Sequence, residues 1–110
     1  RKYLPFDENC EKSWVEPFIF VQAADTQLGL KESPLGWIGL NYGWNQEIKW
    51  STQLVADVNS LKPRPKFLVV CGDLADAYPD RQSEIRKRQI VDFKRVFSGL
   101  EVPLVCLCGN

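Results

Sequence analysis

The sequence predicts an α/β fold: a βαβαβ unit with a mostly parallel sheet flanked by helices. Two observations carry that prediction. Three short runs, 18–24 (FIFVQAA), 67–71 (FLVVC) and 103–108 (PLVCLC), are apolar almost throughout, as buried strands of parallel sheets are. Between them lie two longer stretches whose apolar residues recur at helical spacing. Strand and helix therefore alternate, which implies right-handed crossovers, parallel neighbours and a sheet covered on both faces.

Taken in order, residues 1–16 (RKYLPFDENCEKSWVE) are aperiodic and read as an N-terminal arm. Pro17 introduces the first strand and Asp25-Thr26 closes it; so short a run between such flanks favours a strand over a helix. Gly29, Pro34, Gly36, Gly39 and Gly43 then punctuate a loop of about 20 residues, beyond the usual 2–6 of a strand-to-helix connection, and loops of that length are commonly functional. From Gln46 to Leu61 the spacing predicts a helix, with Trp50, Leu54, Val58 and Leu61 on one face. Lys62-Pro63-Arg64-Pro65 ends it, because proline cannot donate into a further turn. The second strand, Phe67–Cys71, stops at Gly72-Asp73. A second helix is predicted from Gln82 to Gly99, with Ile90, Phe93, Phe97 and Leu100 inward and Arg86, Lys87, Arg88, Lys94 and Arg95 outward. The third strand, Pro103–Cys108, is followed by Gly109-Asn110. By length the chain is expected to amount to one domain at most, or part of one, with 17–110 belonging to it.

Composition removes several function classes. Hydrophobic residues at 45% and charged residues at 25% are ordinary globular values and argue against disorder. No apolar run approaches the ~20 residues of a membrane-spanning helix. Fourteen basic against fourteen acidic residues give zero net charge, where a nucleic-acid partner usually requires a basic excess. With no histidine in the chain, imidazole acid–base chemistry and imidazole metal ligation cannot come from these residues. A Ser or Cys nucleophile would lack its usual base, and neither a dinucleotide fingerprint nor a P-loop is present. Of Cys10, Cys71, Cys106 and Cys108, three sit in apolar runs without C-x-x-C spacing, so reduced, buried thiols of an intracellular protein are expected. The chain lacks methionine and opens at Arg1, so residues are expected upstream of it.

Polar residues fall where a parallel sheet binds ligands, just past the carboxyl ends of its strands. The first strand ends in Asp25-Thr26-Gln27, the second in Gly72-Asp73, the third in Gly109-Asn110. If the strands are neighbours, Asp25, Asp73 and Asn110 converge on one rim, and two carboxylates with an amide oxygen suit a divalent cation. Each taken singly is also a normal turn former or helix cap. Three at three strand ends, two of them preceded by glycine, favour a metal or phosphate site. Trp37, Trp44 and Trp50 either stack on a substrate or wedge the long loop against the sheet. The Arg86-Lys87-Arg88 run reads as a solvated helix face, given Glu84 and Asp92 nearby.

AADTQLG at 23–29, CGDL at 71–74 and CGN at 108–110 resemble the opening motifs of the calcineurin-like metallophosphoesterases, which run Asp-x-His, Gly-Asp, then Gly-Asn-His-Asp or -Glu. W-x-Q-E-I at 44–48 and N-x-L-x-P-x-P-K-F at 59–67 are similar to one branch of that family, made up of cytoplasmic serine/threonine phosphatases. The resemblance spans 17–110 and implies the N-terminal part of a two-sheet sandwich flanked by helices. It also implies two divalent metal ions of the Mn, Fe, Zn or Mg class, a phosphoprotein substrate, and hydrolysis by hydroxide attack on a phosphomonoester. By the same resemblance Asp25 binds the first metal, Asp73 bridges both and Asn110 binds the second. Gln27 stands in the slot of a ligating histidine, to ligate directly, through water or not at all. The family's proton-donating histidine would follow Asn110, so this chain alone is expected to be inactive. Two other readings stand beside this one: a shortened, non-catalytic binding or regulatory product, and a nucleotide-binding module using Asp25 and Asp73. A sheet of this size without a packing partner exposes apolar surface and strand edges, so the isolated chain is expected to be association-prone.

Overall fold

The computed structural model describes residues 12, 16–31 and 43–109. Most of the arm expected over 1–16, most of the long loop with Trp37, Cys10, and Asn110 lie outside the described residues. The described elements are β1 (Val21–Ala24), α1 (Asn45–Ser60), β2 (Leu68–Gly72), α2 (Ser83–Phe97) and β3 (Leu104–Cys108). The strands form one parallel sheet in the order β1-β2-β3, with Val21 opposite Leu68 and Leu68 opposite Leu104. The predicted α/β class, element order and parallel pairing are all present, with boundaries moved by one to three residues.

Strand order equals chain order, and that corrects one expectation. Two right-handed crossovers stepping the same way across a sheet place both helices on the same face. Leu68 and Val70 of β2, flanked by Val21, Ala23 and Leu104, meet Val55 and Val58 of α1 and Phe93 and Phe97 of α2 in one core. Leu28, Trp44, Leu100 and Val102 complete it. The Phe93 and Phe97 rings stack with centroids 4.4 Å apart. Among the described residues no helix covers the opposite face, on which Leu107 remains 53% exposed.

Three finer expectations are corrected as well. Phe18, Ile19 and Phe20 precede β1 and are half-exposed, although the backbone pairing extends to them through Lys66 N–H donating to the Ile19 carbonyl. They lie ahead of the helix-covered part of the sheet. The Phe20 ring stacks on Phe67 at 5.1 Å, and the Lys66 ammonium lies 5.4 Å from the Phe18 ring. Cys106 and Cys108 are exposed and Cys71 half-buried, all three as free thiols, because the carboxyl end of β3 runs out beyond the helices. Desolvation of the Cys106 sulfur, with Cys108 on the same strand face adding to it, raises that thiol above its ordinary value.

The inward face of α1 is rotated by one position from the predicted one: Glu47, Ser51, Val55 and Val58 are buried, whereas Trp50 is 60% exposed. A purely apolar reading of the period favours the tryptophan. The helix instead turns in Glu47, whose Oε1 accepts the Lys31 N–H at 3.1 Å, and thereby holds the start of the long loop. On α2 the buried residues are Gln89, Phe93 and Phe97, with Ile90 half-buried. Gln89 Oε1 accepts the Ala77 N–H at 3.0 Å, a reason for a polar side chain in the core.

These positions separate in a denaturation experiment. In the full-length protein Phe97→Ala should lower stability by about 3–5 kcal/mol, as deletion of a buried ring does. Trp50→Ala should change it by about 0.5 kcal/mol or less, as exposed substitutions do. Urea midpoints of the two variants check both expectations.

Candidate metal centre

β1 and β2 remain paired after both strands have formally ended. Asp25 N–H donates to the Cys71 carbonyl at 2.9 Å, Gln27 N–H to the Asp73 carbonyl at 2.9 Å and Leu28 N–H to the Leu74 carbonyl at 3.3 Å. Leu28 and Ala75 form a further parallel bridge, and Thr26 Oγ1 donates to the Leu74 carbonyl at 3.2 Å. The segments 25–28 and 73–76 therefore run as a ladder rather than as free loops. Along it Asp25 (φ 48°) and Gln27 (φ 31°) take positive φ, an arrangement that costs a non-glycine residue on the order of 1–3 kcal/mol. Strain of that kind is characteristic of functional sites.

The two aspartates meet carboxylate against backbone. Asp25 Oδ1 accepts the Asp73 N–H at 3.1 Å. Gly72 (φ +88°) makes that approach possible: a Cβ there would stand 2.1 Å from Asp25 Oδ1. Gly109 does the same for the next strand, where a Cβ would stand 2.0 Å from Asp73 Oδ1 and 2.8 Å from the Asp73 nitrogen. Each glycine leaves a hollow that the carboxylate of the preceding strand fills. Among the described residues neither Asp25 nor Asp73 has a Lys or Arg ion-pair partner. Two carboxylates at the ends of adjacent strands, without a counter-charge, are a donor set suited to a cation.

Gln27, the fourth predicted residue, turns its side chain to Asp76: Nε2 donates to Asp76 Oδ1 at 3.1 Å. Sequence reasoning missed Asp76. Its signal is faint, a second acid three residues after Asp73 in a segment that reads as loop. Asn110 lies outside the described residues, one position past Gly109. No group of three or more His, Cys, Asp or Glu side chains able to hold a metal occurs among the described residues, so a metal here would draw on amide oxygens besides the two carboxylates.

The remaining candidates are structural. Trp44 is buried, its Nε1 donates to Asp92 Oδ2 at 2.9 Å, and the Arg88 guanidinium lies 5.4 Å from its ring centroid, so it wedges the chain against α2. Lys87 pairs with Glu84 at 2.6 Å and Arg95 with Asp92 at 2.8 Å on the outer face of α2. Arg86 instead bends inward, Nη1 donating to the Ala77 carbonyl at 2.8 Å.

Comparison with known proteins agrees with the motifs at the strand ends. The chain is 41% identical over 117 residues to the serine/threonine-protein phosphatase CPPED1 of Danio rerio, covering 100% of this chain and 36% of that protein. It is 40% identical over 112 residues to the protein of the same name from Mus musculus, covering 96% of this chain and 34% of the relative. The Homo sapiens counterpart is 39% identical over 114 residues, covering 100% of this chain and 36% of its own length. Over its whole length the chain is therefore similar to these phosphatases, in line with the resemblance of its strand-end motifs to the calcineurin-like phosphoesterases. It spans about a third of the length of the curated relatives it matches. No protein-family model matches the chain, and no solved structure does. No described helix of the chain is long and apolar enough to cross a membrane.

The glycine hollows lead to a double-mutant test. Gly72→Ala places a Cβ against a carboxylate in a left-handed backbone and should destabilise the full-length protein by about 1–3 kcal/mol. Removing the carboxylate with Asp25→Ala should relieve part of that loss, giving a coupling of at least about 0.5 kcal/mol in denaturation measurements.

Proposed function

We propose that these residues form part of the dimetal site of a cytoplasmic serine/threonine protein phosphatase that hydrolyses phosphoserine and phosphothreonine monoesters. One observation carries the reading: Asp25 and Asp73 lie carboxylate against backbone at the ends of adjacent parallel strands, each in a hollow left by a glycine. The names of the relatives, serine/threonine-protein phosphatases, support the substrate class.

In this reading Asp25 would hold the first cation, Asp73 would be shared between the two, its charge offsetting their repulsion, and Asn110 would serve the second. When bound, the ions act as Lewis acids toward a phosphoryl oxygen and acidify water. The chain's own contribution is orientation. The Asp73 N–H engages Asp25 Oδ1, which restrains that carboxylate while Oδ2 keeps its own acceptor capacity. The backbone ladder from Asp25 to Asp76 prevents the two strand ends from sliding apart. No histidine is available in the chain to protonate the departing serine or threonine oxygen, so these 110 residues by themselves are catalytically silent in this reading.

Asp73→Asn tests the assignment in the full-length protein. It keeps the shape and the backbone N–H but removes the bridging charge. Mn²⁺-stimulated turnover of a phosphoserine peptide should be abolished while the thermal melt stays close to that of the parent. Retained turnover would overturn the bridging role. Chelation should silence the unmodified enzyme, and added Mn²⁺ should restore it.

A further inference from the structure

We propose that Asp76 is a positioning residue that fixes the side-chain amide of Gln27, so that Gln27 Oε1 becomes a direct oxygen ligand for a divalent cation at the Asp25–Asp73 rim. The inference rests on the metal reading above and deepens it. An unrestrained glutamine amide can turn over, presenting either an oxygen or an NH₂ group to the same neighbour. A carboxylate accepts only, so the partner of Asp76 Oδ1 at 3.1 Å must be the NH₂ end of Gln27. The amide oxygen is then left for an electropositive group, and a neutral oxygen donor is one that a hard divalent cation takes together with carboxylates.

The backbone supports this role on both sides of the pair. Gln27 is tied next to Asp73 by its own N–H, which donates to the Asp73 carbonyl at 2.9 Å. Asp76 donates its N–H to the Leu28 carbonyl at 3.1 Å. The next residue, Ala77, is fully buried and clamped twice by α2, through Gln89 Oε1 at 3.0 Å and Arg86 Nη1 at 2.8 Å. Tyr78 N–H then donates to Gln82 Oε1 at 2.9 Å. Asp76 is therefore held to the site by both the strand-end ladder and the helix. A carboxylate behind a metal-ligating imidazole sets its orientation in the same way, and here an amide takes the place of the ring.

Calorimetric titration of the full-length protein with Mn²⁺ tests the proposal. Asp76→Ala should weaken Mn²⁺ binding by about 10–100-fold, the effect of losing an outer-shell partner, and Gln27→Ala, which removes the ligating oxygen itself, by at least as much. The double variant should bind no more weakly than Gln27→Ala alone, because the two residues act through one oxygen. Asp76→Asn keeps an acceptor oxygen for Nε2 and should bind within a few-fold of the parent. A second readout needs no variant. On titration with diamagnetic Mg²⁺, the Gln27 Cδ carbon resonance should shift while its NH₂ protons stay protected from exchange. An Asp76→Ala affinity equal to the parent's, losses that add independently, or an unmoved Cδ resonance under saturating Mg²⁺ would each overturn the proposal. A parent protein that takes up no Mn²⁺ would overturn the metal reading itself, and so is distinguishable from failure of the Asp76 role alone.

Discussion

Backbone pairing between the first two strands continues for several residues beyond the point where β1 and β2 end, and the rest of the site depends on that continuation. With Ala24 opposite Cys71, the next residues in line are Asp25 and Gly72, and only a residue without Cβ leaves room there for the aspartate. The same step recurs one strand further on, where Cys108 pairs with Gly72 and Gly109 follows beside Asp73. A one-residue slip in either register would replace each hollow by a side chain and send the carboxylates to opposite faces. Register, not any single hydrogen bond, is what assembles the rim.

The helices serve that rim from one side. Their apolar residues bury Leu68 and Val70, which anchors β2 as the central strand. Their buried polar residues do a different job. Glu47 on α1 grips the chain leaving β1, and Gln89 on α2 grips the chain leaving β2. A buried polar side chain left without a partner costs about 1–3 kcal/mol, so one placed in a core is usually matched to a specific group. Gln89 satisfies its oxygen, while its Nε2 has no partner among the described residues. Core and site are thus coupled through the two segments that carry the candidate ligands.

Whole-length similarity to the CPPED1 phosphatases and the strand-end geometry bear on different links of the argument. Similarity shows which phosphatases this chain resembles, and geometry shows which of its residues stand together. With no histidine among these residues, a cation bound at the rim would draw on the side-chain oxygens of Asp25 and Asp73. Oxygen donors of that kind suit hard cations.

The number, type and order of the described elements were legible in the sequence, because apolar runs and 3.6-residue periods record burial directly. So was the placement of Asp25 and Asp73, since parallel strands expose their carboxyl ends on one edge. Periodicity cannot choose between adjacent helical positions, however, and so it favoured Trp50 where the fold buries Glu47 and Ser51. It is equally silent on which side of the sheet a helix lies, which depends on strand order; here equal order and equal handedness put both helices on one face. Asp76 was invisible for the same reason. Its partner Gln27 is 49 residues away, and no local pattern records a contact made only when two strand ends are laid side by side. Sequence by itself determined the parts and the chemistry carried at their ends; tertiary packing decided which faces meet and which polar groups pair.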